Sequence, residues 1–309
     1  MPDQSDDGGY LRARERLLAG SRITTLRERY DLFPYVLISG VAFLIAVVYF
    51  YPLYRTFVFA FTDSTFQERG EFVGLQHFAE IFNNGFLEVL VTTAYWTFGA
   101  VSLAMLLGMG GALLMNRDFW GRKYFMGMIL APWAMPLAIA GFLWLTMFIG
   151  EYGFINKVIL DPIPGYEPIS FLGHDHALKS VIVARVWKAA PFALIIYYAR
   201  LKAIPDHYYD AAKIDGAGKW AQFRYITLPE LRQVSVIIVI VLTVWTTLIF
   251  DIVYVMTGGG PAGQTRILPV DIYVTMFGEA SPALASAKAV TAVFFLSIVT
   301  VIYWKVGDL

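Results

Sequence analysis

The sequence contains no cysteine, and this absence excludes disulfides, thiolate metal sites and cysteine nucleophiles together. It has only four histidines, which makes a transition-metal enzyme an unfavourable interpretation. His174 and His176 could contact one ion, but in a loop beside glycine we interpret them as a solvated pair. The sequence therefore predicts no metal site.

Charged residues are also scarce, at 16% of the 309 residues, whereas soluble proteins contain about a quarter. Hydrophobic residues make up 58% of the chain and the mean hydropathy is +0.58, which is the composition of a membrane protein. With 24 basic and 24 acidic residues the net charge is zero, and this argues against a globally basic nucleic-acid binder. We therefore expect the lipid bilayer around the chain and no nucleic acid partner.

Six apolar runs reach the roughly 20 residues that cross about 30 Å of hydrocarbon as a helix. They are residues 32–61, 89–115, 124–149, 178–199, 234–257 and 282–304. The predicted fold is therefore an all-α polytopic membrane protein with six transmembrane helices. It divides into a basic N-terminal tail over residues 1–31 and a transmembrane domain over residues 32–309.

Lysine and arginine are distributed unevenly among the connections, and cations are disfavoured on the translocated side of a membrane. The alternate connections hold only Arg69, Lys157 and Arg266, so both termini are predicted to be cytoplasmic. The first thirty residues are polar, and we expect them to remain in the mature protein because they do not resemble a signal peptide. The tail suits either a basic amphipathic helix on the anionic leaflet or a topology determinant with no other role.

The long cytoplasmic connection, residues 201–233, has helical patterning of its own. Pro205 and Asp206 are typical of a helix start, and Asp215-Gly216 is typical of a helix end. A second short helix is expected to stop at Leu228-Pro229, where the fifth span begins. On physics alone, the first helix could dock into a groove of a soluble partner or pack beneath its own bundle.

The stretch IPDHYYDAAKIDGA, residues 204–217, with Phe223 and the following ITLP, resembles the EAA loop of permease subunits in binding-protein-dependent ABC importers. Asp210 stands where the family usually has glutamate, which keeps the charge but shortens its reach. The resemblance implies a coupling helix that contacts a cytoplasmic ATPase. Its contact residues would be Tyr209, Asp210, Ala211, Ala212, Asp215 and Gly216.

A second block, residues 250–261 with Thr265 following, is similar to the maltose-type first permease subunit. Proline motifs at residues 132–136 and 187–192 extend the resemblance over about residues 87–305. In its overall pattern the chain looks most like the trehalose-importer permeases of actinobacteria. The resemblance therefore implies import of a sugar, with a disaccharide such as trehalose as the expected cargo, by alternating access.

The same resemblance implies the assembly around the chain in a bacterial plasma membrane. The expected partners are a second homologous permease subunit, two cytoplasmic ATP-binding subunits and an extracytoplasmic sugar-binding lipoprotein. The connections 63–88, 151–177 and 258–281 would face that lipoprotein. The chain itself would bind no cofactor and would not be an enzyme, because ATP and magnesium are used by the ATPase. Its Gly216–Lys219 stretch resembles a phosphate loop, but Trp220 follows where serine or threonine must hold magnesium.

Charged residues inside membrane spans cost about 2.5 to 3.5 kcal/mol and need a reason. Arg185 and Lys188 share one face of the fourth span; with Asp251 in the fifth they could form a structural tie or line a polar cavity. Lys288 in the sixth span is the remaining such charge. In the maltose-type family the third, fourth and fifth spans line the cavity. The resemblance thus implies a sugar path formed by Trp133, Leu137, Arg185, Lys188, Phe192, Trp245, Thr246 and Ile249, to which we add Asp251.

The two cations of the fourth span stand where the maltose-type pattern is uncharged, so maltodextrins are an unexpected cargo. Trp96, Trp144 and Trp187 are interpreted as packing residues or interfacial anchors. The alternative function is an ion-coupled secondary transporter that uses the intramembrane charges, although no repeat relates the two halves clearly. An intramembrane enzyme is disfavoured because no convincing catalytic constellation lies inside the spans.

Overall fold

A computed structural model describes residues 33–306 of the chain. The chain divides into two compact units, residues 1–55 and 56–309, which are considered separately. The described residues form helices and turns, with one isolated antiparallel bridge between Thr62 and Phe72 and no strand. The predicted basic tail, residues 1–31, lies outside the described residues.

The described part of the first unit is helical. Helix α1 (Phe33–Ile45) continues through a π-helical turn (Ala46–Phe50) into helix α2 (Tyr51–Ala60), which passes into the second unit after Arg55. The 27 residues Pro34–Ala60 are apolar and long enough to cross a bilayer. This helix confirms the first predicted span.

The second unit contains the other helices. They are α3 (Gln76–Asn83), α4 (Phe86–Met115), α5 (Arg122–Ala134), α6 (Leu137–Phe148), α7 (Ala177–Ala203), α8 (Asp206–Ile214), α9 (Lys219–Gln222), α10 (Leu228–Leu248), α11 (Asp251–Thr257), α12 (Leu268–Tyr273) and α13 (Pro282–Val306). Over the described residues of both units, five helices are long and apolar enough to span a membrane, and counting the bent pair α5–α6 as one broken span brings the number to six. The prediction of an all-α, six-span fold is therefore confirmed.

The third predicted span, residues 124–149, is not one straight helix. Helices α5 and α6 are bent by 104° relative to each other, with Met135 extended between them at ψ 138°. The cause is Pro136, because its ring disfavours a helical backbone at the preceding residue and it has no N–H to donate. A single continuous run of apolar residues thus folds into two short helices.

The fifth predicted span departs from the structure at both ends. Helix α9, a π-helical turn (Phe223–Thr227) and α10 join into one 30-residue helix, so the predicted stop at Leu228-Pro229 is wrong. Pro229 lies directly after the π-helical turn, where the regular α-helical hydrogen-bond pattern is already interrupted. At the other end α10 stops at Leu248, Ile249 is extended at ψ 127°, and the chain resumes as α11.

Helices α4 and α7 form the centre of the second unit and pack closely along their lengths. A Cβ atom added to Gly108 would lie 2.5 Å from the Cβ of Ala193, so glycine is what permits this approach. One buried apolar cluster joins α4, α7 and α10, and it includes Leu194 and Ile238. A second cluster joins α4, α6, α7 and α11. The region where the two clusters meet contains the cavity described next.

Candidate functional site

A cavity of about 360 Å³ lies among helices α5, α6, α7 and α10. The residues beside both helix breaks contribute to its wall, Trp133 and Leu137 at the first break and Leu248 and Ile249 at the second. The complete lining is Trp133, Leu137, Arg185, Lys188, Ala189, Phe192, Leu242, Trp245, Leu248 and Ile249. The two breaks therefore converge on one site.

Most of the residues predicted for the sugar path are brought together here, and two are not in the wall. Thr246 is 1% exposed, and its hydroxyl accepts a hydrogen bond from Arg185 Nε at 3.1 Å. Asp251 lies in the first turn of α11 and is not part of the lining. The sequence reasoning missed Ala189, Leu242 and Leu248, whose small or aliphatic side chains carry no chemical signal. Helical spacing from Arg185 and Trp245 could have indicated them.

The break between α5 and α6 supplies a polar partner for one of the two cations. The ammonium of Lys188 donates to the carbonyl oxygen of Trp133 at 2.6 Å. In an uninterrupted helix this carbonyl would accept from the N–H of Leu137, four residues later, and the break leaves it available. Lys188 is thus held by backbone and not by a carboxylate.

At the second break, a side chain of α4 contacts the end of α10. The carbonyl oxygen of Thr246 accepts from the indole N–H of Trp96 at 3.0 Å and also from the backbone N–H of Ile249 at 3.3 Å. Trp96 is fully buried, which confirms its interpretation as a packing residue. This hydrogen bond fixes α4 against the broken end of α10.

Arg185 and Lys188 are both buried, at 4% and 6% exposed. The Nη2 atom of Arg185 is buried without a hydrogen-bond partner. Among the described residues neither cation forms an ion pair, and the possible tie to Asp251 is not made. The cavity therefore combines an uncompensated positive charge with an otherwise apolar wall.

Aromatic side chains supply much of that apolar wall. The rings of Phe192 and Trp245 are tilted against each other with their centroids 4.9 Å apart. Trp133 and Trp245 both line the cavity and remain 48% and 46% exposed. Aromatic faces that cover apolar C–H surface, beside a few hydrogen-bond donors, are the mixture that a sugar requires.

The predicted coupling helix is present with the expected ends. Helix α8 follows directly after Pro205 and ends at Ile214, and Gly216 takes the left-handed conformation at φ +80°. Asp210, Ala211, Asp215 and Gly216 are exposed, whereas Tyr209 and Ala212 are half-buried. No residue of this helix is buried, so most of its surface is available to a partner.

Two contacts hold the loop that contains α8 and the membrane helices that flank it. The hydroxyls of Tyr209 and Thr227 are 3.0 Å apart, which ties α8 to the π-helical turn before α10. At the base of the loop, Arg200 at the end of α7 pairs with the Glu230 carboxylate and donates to its backbone carbonyl at 3.1 Å. The two helices that flank the loop are therefore held together where the loop leaves them.

On α8 itself, the ammonium of Lys213 donates to Asp210 Oδ1 at 2.8 Å. This hydrogen bond raises the pKa of Lys213 above its ordinary value. Both side chains are more than half exposed, so the pair is a surface contact that a partner can rearrange at little cost.

Lys288, the fourth intramembrane charge, has a structural explanation. Its ammonium lies 2.8 Å from Asp271 Oδ2, while Arg266 Nε donates to Asp271 Oδ1 at 2.6 Å. Arg266 also donates to Glu279 at 2.8 Å, and this hydrogen bond lowers the pKa of Glu279 below its ordinary value. The group borders a polar pocket of about 650 Å³, separate from the cavity that contains Arg185.

Residues 100–306 match the family of binding-protein-dependent transport system inner membrane components. The chain belongs to this family. It is 32% identical over 285 residues to the trehalose/maltose transport system permease protein MalF of Thermococcus litoralis, covering 91% of this chain and 96% of the relative. It is also 32% identical over 275 residues to the sulfoquinovosyl glycerol transport system permease protein SmoG of Agrobacterium fabrum, with 88% and 89% covered.

The fold agrees with this assignment. A permease chain from the crystal structure of a bacterial ABC transporter for the acidic polysaccharide alginate superposes with a TM-score of 0.76, at 19% identity, over 93% of this chain and 98% of that chain. The resemblance to importer permeases that residues 204–217 and 250–261 indicated is therefore confirmed. The chain is a multi-pass membrane component of a binding-protein-dependent transport system.

Proposed function

We propose that this chain is one of two homologous permease subunits in an ATP-driven sugar importer of a bacterial plasma membrane, with both termini in the cytoplasm. Two ATP-binding subunits bind at α8, and ATP and magnesium are used by those subunits alone. A sugar-binding lipoprotein docks on the connections 63–88, 151–177 and 258–281. Family membership and the exposed coupling helix support this arrangement.

The observation that carries the proposal is the cavity between the two helix breaks. Its aromatic walls and its buried donors suit a solute with both hydroxyl groups and apolar C–H faces. Helix α7 connects this cavity to the coupling loop, because Lys188 lines the cavity and Arg200 holds the base of the loop. Helix α7 therefore runs from the proposed sugar path to the base of the loop that carries the proposed ATPase contact.

We propose alternating access as the mechanism. Closure of the ATPase pair moves α8, and the contacts Tyr209–Thr227 and Arg200–Glu230 transmit this movement to α10 and α7. These helices also line the cavity, so their displacement opens it to the other side of the membrane. Because coupling between binding equilibria is reciprocal, the loaded binding protein favours the ATP-bound state.

For the cargo we propose a disaccharide, with trehalose as the first candidate. The relative from Thermococcus litoralis is named for trehalose and maltose, and relatives of equal identity are named for other sugars. Trehalose, maltose and a sulfonated sugar glycoside therefore form the set to compare.

The proposal is tested by uptake into proteoliposomes. The chain is co-expressed with its neighbouring reading frames, the complex is reconstituted with ATP on the cytoplasmic face, and each labelled sugar is added with the binding protein. We expect ATP-dependent accumulation of trehalose that does not require an ion gradient. Accumulation without ATP that follows a proton or sodium gradient would favour the secondary transporter instead.

A further inference from the structure

Arg185 and Lys188 form a cationic pair that this chain does not neutralise. They lie one helical turn apart on α7 and both line the cavity. Arg185 is 96% buried by the rest of the chain, yet its Nη2 atom has no partner among the described residues. The Thr246 hydroxyl and the Trp133 carbonyl accept one hydrogen bond from each cation, and neither acceptor carries a formal charge. Two adjacent buried cations with only neutral acceptors leave a site that favours an anion from outside this chain.

A lipid headgroup is too far away to supply that charge. Both residues lie within about 8 Å of the middle of α7 at 1.5 Å per residue. Headgroup phosphates lie on the order of 15 Å from the bilayer centre. Acyl chains reach this depth, but they offer nothing to a guanidinium or an ammonium.

The cavity is only partly enclosed by this chain. Trp133, Trp245 and Leu248 line it and are 48%, 46% and 56% exposed. A permease spends part of its cycle without solute, and in that state a solute cannot compensate the cations. A carboxylate fixed in a neighbouring subunit compensates them in every state.

We propose that an acidic side chain of the second permease subunit enters this cavity and pairs with Arg185 and Lys188. The inference rests on the proposed function, which supplies that subunit. The two cations then determine which permease this chain pairs with, and they place the subunit contact directly beside the sugar path. A neutral sugar remains compatible with the cavity, because its net charge is balanced before the sugar arrives.

Charge reversal tests the pairing. In the co-expressed complex, Arg185→Glu is expected to lower the recovery of the second permease with this chain by roughly a hundredfold, since breaking a buried ion pair is strongly destabilising. Each Asp and Glu in the spans of the second permease is then changed to Lys, one at a time, in the Arg185→Glu background. One of these changes is expected to restore recovery. Lys179→Glu, an exposed cation on the same helix, is the matched control and is expected to have no effect.

A second measurement remains informative if Arg185→Glu does not fold. The chain has no cysteine, so Ala189→Cys places its single thiol in the cavity and leaves both cations in position. Cysteines are introduced one at a time beside each Asp and Glu in the spans of the second permease, and we expect the Ala189→Cys thiol to form a disulfide with one of them. No comparable disulfide is expected from Lys179→Cys.

Three outcomes would count against the inference in distinguishable ways. If no reversal restores pairing and no disulfide forms, the second permease does not supply the acid. If Arg185→Gln leaves recovery unchanged but selectively raises the KM for a uronate-containing disaccharide, the solute supplies the anion. If no second permease co-purifies with the wild-type chain, the proposed function itself fails.

Discussion

The ammonium of Lys188 on α7 donates to the backbone carbonyl of Trp133 at 2.6 Å, across the break between α5 and α6. This contact joins two features that each cost free energy in a membrane, a buried cation and an unpaired carbonyl. The Lys188 ammonium and the Trp133 carbonyl thus form a hydrogen-bonded polar pair in the largely aromatic wall of the cavity. Pro136 sets the position of the break and thereby the position of the carbonyl.

Trp245→Ala is expected to impair uptake without disturbing assembly. The substitution removes the ring that packs on Phe192 and faces the cavity, and loss of an aromatic contact of this kind costs about 0.5 to 1.5 kcal/mol. This corresponds to a rise of about two- to tenfold in the apparent KM for uptake. Trp120→Ala is the control, because Trp120 is 95% exposed and outside the cavity. Unchanged kinetics in Trp245→Ala would remove this residue from the sugar path.

Asp210→Lys and Gly216→Pro are expected to leave the bundle folded but to weaken ATPase attachment or transport. The first reverses a charge on the exposed face of α8, and the second requires φ near −65° where the backbone has +80°. Recovery of the ATPase with the purified permease and the rate of uptake are measured together. Gly218→Pro is the matched control, since φ at Gly218 is already −69°. Normal uptake by both test variants would contradict the role of α8.

Gly108→Ala is expected to destabilise the bundle by about 1 to 3 kcal/mol, the usual cost of overpacking a close contact. Its new methyl group would meet the Cβ of Ala193 at 2.5 Å and the backbone nitrogen of Leu194 at 2.9 Å. Gly110→Ala, on the same helix but facing open space, is expected to be neutral or slightly stabilising. Thermal unfolding of the detergent-solubilised complex distinguishes the two. Equal melting temperatures would show that α4 and α7 do not need this close approach.

Lys288→Met is expected to reduce stability and to leave the apparent KM for sugar unchanged. Asp271 is 2% exposed and would keep Arg266 as its only charged partner, at a cost of about 1 to 3 kcal/mol for the oxygen left unpaired. The double variant Asp271→Asn with Lys288→Met is expected to recover part of this loss. A large change in KM with normal stability would instead place Lys288 in the sugar path.

The ion pair of Glu279 predicts a weak dependence of stability on acid pH. Because Arg266 lowers the pKa of Glu279, the folded protein binds this proton less tightly than the unfolded chain does. The stabilisation is therefore complete above the ordinary value of 4.5 and is lost as the pH falls below it. The side chain is 47% exposed, so the effect is at most about 1 kcal/mol. Melting temperatures of wild type and Glu279→Gln should converge at low pH, and a constant difference would exclude this linkage.

The sequence predicted those parts of the fold that leave a local signal. Apolar runs located the spans. Pro205 and Gly216 located the ends of α8, because each residue restricts or permits a particular backbone conformation at its own position. The break at Ile249 was not predicted, since no proline or glycine marks it and the apolar run continues through it. Hydropathy alone cannot distinguish a straight span from an interrupted one.

The candidate site was predictable to a similar degree. Residue type and the resemblance to maltose-type permeases indicated most of the cavity wall, including Arg185 and Lys188. The ion pair of Lys288 with Asp271 was missed, because the two residues lie on different helices and only the folded chain brings them together. Thr246 was predicted to line the cavity, but it is not part of the lining, and its hydroxyl accepts a hydrogen bond from Arg185. This orientation depends on tertiary packing.

The proposed function requires this permease to couple a loaded binding protein to ATP hydrolysis, and this coupling can be measured. It is tested most directly by measuring ATP hydrolysis in the reconstituted complex with the binding protein either empty or loaded with trehalose, maltose or glycerol phosphate. We expect one loaded form to stimulate hydrolysis several-fold over the empty form, and we expect Gly216→Pro to abolish this stimulation. Hydrolysis that is the same with every loaded and empty form would contradict it.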